Sequence, residues 1–211
     1  MRASVALTVL LSLAPTVSVA ATLADRDAYF MNEAEEIRIA RTAGPPSVTA
    51  SASVYVLRAG GYELAERGEG AFHCFVERSW SAPDPENRIT FDPRIRAPHC
   101  INAEGAETIL QENFMVASLA LQGLPGDEIN RRVDAALASG ELRSPSRTAM
   151  TYMMSRHQWL GEGQSAWKPH VMLWMPGLTR AEVGGGNDTF LVGKSGSHRA
   201  CLVVAVSNFL G

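Results

Sequence analysis

The apolar residues of this chain fall into short runs closed by glycine or proline near both ends, with two helix-period segments between them. That arrangement reads as the α+β class. The opening runs are VTASASVYVLR (48–58), YELAER after Gly60-Gly61, and AFHCFVERSW after Gly68 and Gly70. Glycine turns between β-branched and aromatic runs predict an antiparallel three-strand meander. The closing runs are TAMTYMM (148–154), HVMLWM (170–175), TFLV (189–192) and ACLVVAVSNF (200–209), with a turn over Gly184-Gly185-Gly186-Asn187-Asp188. HVMLWM and CLVVAV are apolar at almost every position, which predicts central strands covered on both faces. Between the two sets, Leu110, Phe114, Ala117 and Leu121 mark one helix over 106–121. Ile129, Val133 and Leu137 mark a second, with Asp127 as its N-cap and Gly140 as its stop. A further helix is expected over Ala24–Ala43, ended by Gly44-Pro45-Pro46. The expectation is an antiparallel sheet of about five to seven strands with about three helices packed on it.

Residues 1–20, MRASVALTVLLSLAPTVSVA, have the layout of a secretory signal peptide. Arg2 supplies the basic start, Val5 to Ala14 the apolar run, and Ser18 and Ala20 the small residues before a cut after Ala20 or Ala21. The apolar run is half of what a membrane-spanning helix needs, and Pro15 ends it. The mature chain, 21–211, is expected to be one globular domain released to the periplasm or outside the cell, with no integral membrane segment after cleavage. An oxidising compartment then turns attention to Cys74, Cys100 and Cys201. Sequence alone leaves three pairings open. Cys74–Cys100 is the expected disulfide, because it would tether the proline-rich stretch FDPRIRAPHCIN within a long loop over 81–100. Cys201 lies in an apolar strand, where a thiol packs as a small hydrophobe.

Without Arg2 the mature chain carries 18 Lys+Arg against 22 Asp+Glu, a net charge of −4. Nothing in that balance, or in its even spread, resembles the clustered basic face of a nucleic-acid-binding protein. A membrane-directed polybasic patch is equally absent. Only Lys168 and Lys194 are lysines.

Several fragments imitate catalytic motifs. Ser165-Ala166-Trp167-Lys168 matches S-x-x-K, but Pro169 disfavours the helix that this chemistry requires. Gly193-Lys194-Ser195 ends like a phosphate-binding loop, yet Asp188 occupies the position of its first glycine. G-x-S-x-G fails at Ser197. His73-Cys74 and His99-Cys100 look like thiol–imidazole pairs, but neighbours on a strand point to opposite faces. No cofactor is expected from any of these.

Three readings of function stay open. The leading one is a ligand- or partner-binding domain, the partner being a small molecule or an envelope protein. Its pocket is expected where the 81–100 loop meets the segment holding Trp167, His170 and Trp174, since aromatic and polar groups gather there. A second is a small hydrolase or transferase that uses His170 with a carboxylate such as Glu77 or Glu162. A third is Cu(I) binding by the methionine-rich segments, Met150, Met153 and Met154 with Met172 and Met175, beside His157 and His170.

The stretches EEIRIARTAGPPSVTASASVYVL, GAFHCFVERSW, MTYMMS and WKPHVMLWMP resemble those of a group of exported bacterial proteins with no assigned activity. The resemblance implies a bacterial source and a single domain. It carries no catalytic or binding residue with it.

Overall fold

The computed structural model describes residues 23–80, 92–186 and 189–211. The expected signal peptide, most of the 81–100 loop and part of the 184–188 turn therefore lie outside the described residues. A single turn-rich 3-10 segment, Leu23–Tyr29, precedes α1 (Glu33–Arg41) and α2 (Pro46–Thr49). Then follow β1 (Ser53–Arg58), β2 (Gly61–Glu66), β3 (Phe72–Glu77) and β4 (Ala97–Asn102). The helical middle is α3 (Ala103–Ala106), α4 (Ile109–Leu121) and α5 (Gly126–Ser139). The chain closes with β5 (Ala149–Met153), β6 (His170–Trp174), β7 (Phe190–Gly193) and β8 (Cys201–Ala205).

The class is α+β. Among the described residues the strands form one mixed eight-stranded sheet in the order β2-β1-β3-β4-β5-β6-β8-β7. This is larger than the expected five to seven strands, and it is not wholly antiparallel. The β1–β2 hairpin forms as the glycine turn requires, but β3 docks on the other side of β1, parallel to it, with Val54 opposite Cys74. The meander fails for a physical reason. β2 is polar, with Glu63, Leu64 and Glu66 exposed, and suits a solvated edge. β1 buries Val54, Val56 and Leu57 and needs a strand on each side.

Two further elements differ from expectation. The segment 24–43 does not form one helix, because Asn32 accepts a hydrogen bond from the Glu35 amide (3.2 Å) and so starts α1 afresh. Residues 97–100 are strand, not loop. Pro98 is tolerated there because β5 pairs with β4 only at Cys100 and Ile101, and by Met154 its chain has turned to bond Ala43. The expected Asp127 cap is replaced by Pro125 with no side-chain bond, whereas Gly140 stops α5 in the left-handed region (φ 81°).

The helices pack mainly on β1–β5. On the back face, Ile39 and Ala40 of α1, with Ala43 just beyond it, pack against Val54, Cys74, Val76 and Cys100. On the front face, Ile109 and Leu110 of α4 meet Phe75, Ile101, Met172 and Trp174. β6 and β8 are therefore not covered on both sides. β6 buries His170, Met172 and Trp174 while Val171 and Leu173 stay half-exposed, and β8 is half-exposed from Leu202 onwards. Cys74 and Cys100 face each other across β3 and β4 and form a disulfide, while Cys201 is free and buried. No helix of the described residues is long and apolar enough to cross a membrane.

Candidate functional site

Strand alternation sorts this sheet into two chemically different faces. The back face holds the disulfide and the α1 interface. The front face carries Glu77 of β3, His99 of β4, Met153 of β5, then His170, Met172 and Trp174 of β6. These residues lie in register. Met153 pairs with His170, and His170 with Ala205 of β8. The β4–β5 register, Cys100 opposite Tyr152, brings His99 opposite Met153. A row His99–Met153–His170–Ala205 thus runs across four strands.

Where α4 leaves the front face uncovered, a cavity of about 470 Å³ opens above this row. Its aromatic walls are Trp80, Trp167 and Trp174, and its sulfur groups are Met153, Met172 and Cys201. The volume lies in the range of small-molecule sites, as does a mostly apolar lining with a few convergent polar groups. The three residues singled out from sequence, Trp167, His170 and Trp174, all line it.

The polar groups are held by specific bonds. The His170 ring nitrogen Nδ1 lies 2.7 Å from the Lys168 carbonyl, so it carries the proton and donates. This leaves Nε2 as the free lone pair. Burial holds His170 below the ordinary histidine value, and the nearby charge of His99 adds to that; the Lys168 bond opposes both. His170 therefore sits as a neutral base. Its bond is to a backbone carbonyl, not to a carboxylate. Glu77 lies instead with its Oε2 at 2.8 Å from His99 Nε2, and Glu162 sits in an exposed stretch. Burial pushes the Glu77 carboxyl up, but His99, Arg199 and Lys194 together outweigh this and hold it below the usual carboxylate range.

Arg199 is placed by α4. Its Nε lies 3.4 Å from Oε1 of the buried Glu112, and its Nη2 donates to the Asn113 amide oxygen at 3.3 Å. The guanidinium then lies 5.8 Å from the centre of the Trp174 ring. The Trp174 indole N–H donates to Thr151 Oγ1 at 2.8 Å, which fixes that ring. The Trp80 ring stacks on Tyr29 at 4.9 Å, and its buried indole N–H has no acceptor among the described residues.

The other fragments do not assemble. Ser165 and Lys168 lie in an exposed, non-helical segment, so they do not share a helical turn. The disulfide removes both thiols from any pairing with His73 or His99. Met175 is exposed, Met150 falls on the face away from the cavity by alternation, and Met154 lies beyond the end of β5 with its amide bonded to the Ala43 carbonyl. Among the described residues no three His, Cys, Asp or Glu side chains gather as a metal-binding group.

Sequence reasoning missed the Glu77–His99 contact, Trp80 and Arg199. The signal for the first was present, since Glu77 and His99 share a face once residues 97–102 are read as strand. No local pattern marks Arg199, whose position depends on α4. No family model matches the chain, and no curated protein or solved structure matches it either.

Proposed function

We propose that this chain is an exported binding domain whose front-face cavity takes a small organic molecule with an aromatic or apolar body. One observation carries the reading: a cavity of about 470 Å³ in which three tryptophans surround a few oriented polar groups. Each polar group is held by the fold itself, which is the preorganisation that a binding site requires. The His170 ring is fixed by Lys168, Trp174 by Thr151, and Arg199 by Glu112 and Asn113. The buried Trp80 N–H offers a donor to a ligand acceptor. Leaving such a donor unmet costs roughly 1–3 kcal/mol, which a bound acceptor would offset. Export is supported by the disulfide, which suits an oxidising compartment.

The test is a fluorescence titration with an environment-sensitive naphthalene dye. Dye emission should rise saturably, with quenching of tryptophan fluorescence, and Ala205→Phe should abolish both by filling the cavity floor beside His170. Saturable binding unchanged in Ala205→Phe, or no binding by the wild type, would remove the cavity as the site.

A further inference from the structure

We propose that His99, Met153 and His170 form a Cu(I)-binding site on the cavity floor, with Met172 at its side. The proposal goes beyond the organic-ligand reading and does not depend on it.

The first argument is placement. Met153 stands between the two histidines in one cross-strand row, all three on the front face. Directly opposed residues in a sheet lie about 5 Å apart at Cβ. Two imidazoles separated by a single strand can therefore close over the methionine between them. Met172 is two residues along β6 from His170 on the same face, one pleat away. All four line the same cavity, so an ion has an entry path.

The second argument is orientation. A metal-binding histidine commonly donates its other ring N–H to a carboxylate or a backbone carbonyl, which fixes the ring and its tautomer. His170 has such a partner, whereas His99 is held by an ion-pair contact with Glu77 in which its buried Nε2 makes no aligned hydrogen bond. His99 Nε2 lies 2.8 Å from the Glu77 carboxylate, and His170 Nδ1 lies 2.7 Å from the Lys168 carbonyl. His99 Nδ1 and His170 Nε2 are the nitrogens left to coordinate.

The choice of metal follows from the ligands. Two imidazoles and one or two thioethers are neutral and soft, the set that selects Cu(I) over Zn(II), Mg(II) or Ca(II). The charges nearby agree. Arg199 and Lys194 act on Glu77 from across the site and would oppose a divalent ion. A monovalent ion adds less positive charge there, with Glu77 as a nearby counter-charge.

The experiment is an anaerobic titration in which purified full-length protein competes with bicinchoninate for Cu(I), followed by X-ray absorption of the loaded protein. One equivalent should be withdrawn per chain, with both sulfur and imidazole scattering at the metal. Met153→Leu preserves volume and should weaken binding at least tenfold without changing the melting temperature appreciably. His170→Gln should do the same, whereas Met175→Leu and His157→Gln should leave affinity unchanged. Failure to withdraw Cu(I), or binding that Met153→Leu and His170→Gln leave intact, overturns the proposal. So does binding that is lost in Cys201→Ala, which would place the metal on the buried thiol. The naphthalene dye titration reads the organic-ligand site separately, so either reading can fail alone.

Discussion

The pair Arg78–Glu36 anchors α1 to the end of β3 at the cavity wall, and its removal gives a sharp quantitative test. Both side chains are essentially buried, at 0% and 1% exposure, and the charged atoms lie 2.7 Å apart. Glu36 Oε1 accepts from Arg78 Nη2 and from the Leu57 amide at 3.2 Å. Arg78 Nε donates to the Tyr29 carbonyl at 2.9 Å, and Nη1 donates to the Val76 carbonyl. Glu36→Ala leaves a guanidinium in the interior with no counter-charge, which costs about 3–5 kcal/mol. At roughly 2–4 °C per kcal/mol for a chain of this size, the melting temperature should drop by roughly 6–20 °C. Glu36→Gln keeps an acceptor for Leu57 and should fall short of that loss. Arg78→Met strands Glu36 and the Tyr29 carbonyl; the Val76 carbonyl still accepts from Tyr62 Oη at 2.6 Å. The double variant Glu36→Ala/Arg78→Met removes both charges, so it should be less destabilised than the sum of the single changes by about 1–3 kcal/mol. Urea unfolding of the four proteins, followed by tryptophan fluorescence, supplies the cycle, with Trp80 on Tyr29 as a local reporter. A cost for Glu36→Ala below about 1 kcal/mol, or strict additivity in the double variant, refutes the reasoning.

Three more outcomes follow from the described geometry. Denatured protein without reductant should show one reactive thiol, Cys201. Replacing Cys74 and Cys100 together by alanine should cost about 3–4 kcal/mol in urea unfolding, from the chain-entropy cost of a loop with sequence separation 26. For Glu77, whose native carboxyl is held below its ordinary value of 4.5, the contribution to stability is fully present above that value and is lost as pH falls through the native one. Melting curves of metal-free wild type and Glu77→Gln should therefore differ at neutral pH and converge in acid; a gap that widens in acid contradicts the assignment.

What could be read in advance depended on whether a residue's role was local. The glycine turn before β2, the stop of α5 at Gly140 and the apolar stripe of α4 are short-range signals, and the chain obeys them. The placement of β3 is not local. Its parallel pairing with β1 reflects competition between a polar and an apolar neighbour for the sheet interior, and no turn residue encodes it. Pro98 misled for the opposite reason. Its strong local preference against a sheet interior is overridden because the neighbouring strand ends its pairing just where the missing N–H falls. The candidate site shows the same division. Trp167, His170 and Trp174 lie within eight residues and stand out in sequence, whereas Glu77, His99 and Arg199 meet only through the sheet and α4.

The disulfide has a consequence for how this protein can diversify. Cys74 and Cys100 clamp β3 to β4 from behind, while Phe75 and His99, the next pair along the ladder, face forward into the core and the cavity. The covalent tie holds the spacing of that forward pair independently of the segment that joins the two strands. Loop length costs little free energy once the ends are fixed. Trp80 and Ile95, which reach the cavity from beyond the ends of the two strands, are thus positions at which a substitution can change the shape presented to a ligand while the frame holding His99 stays put.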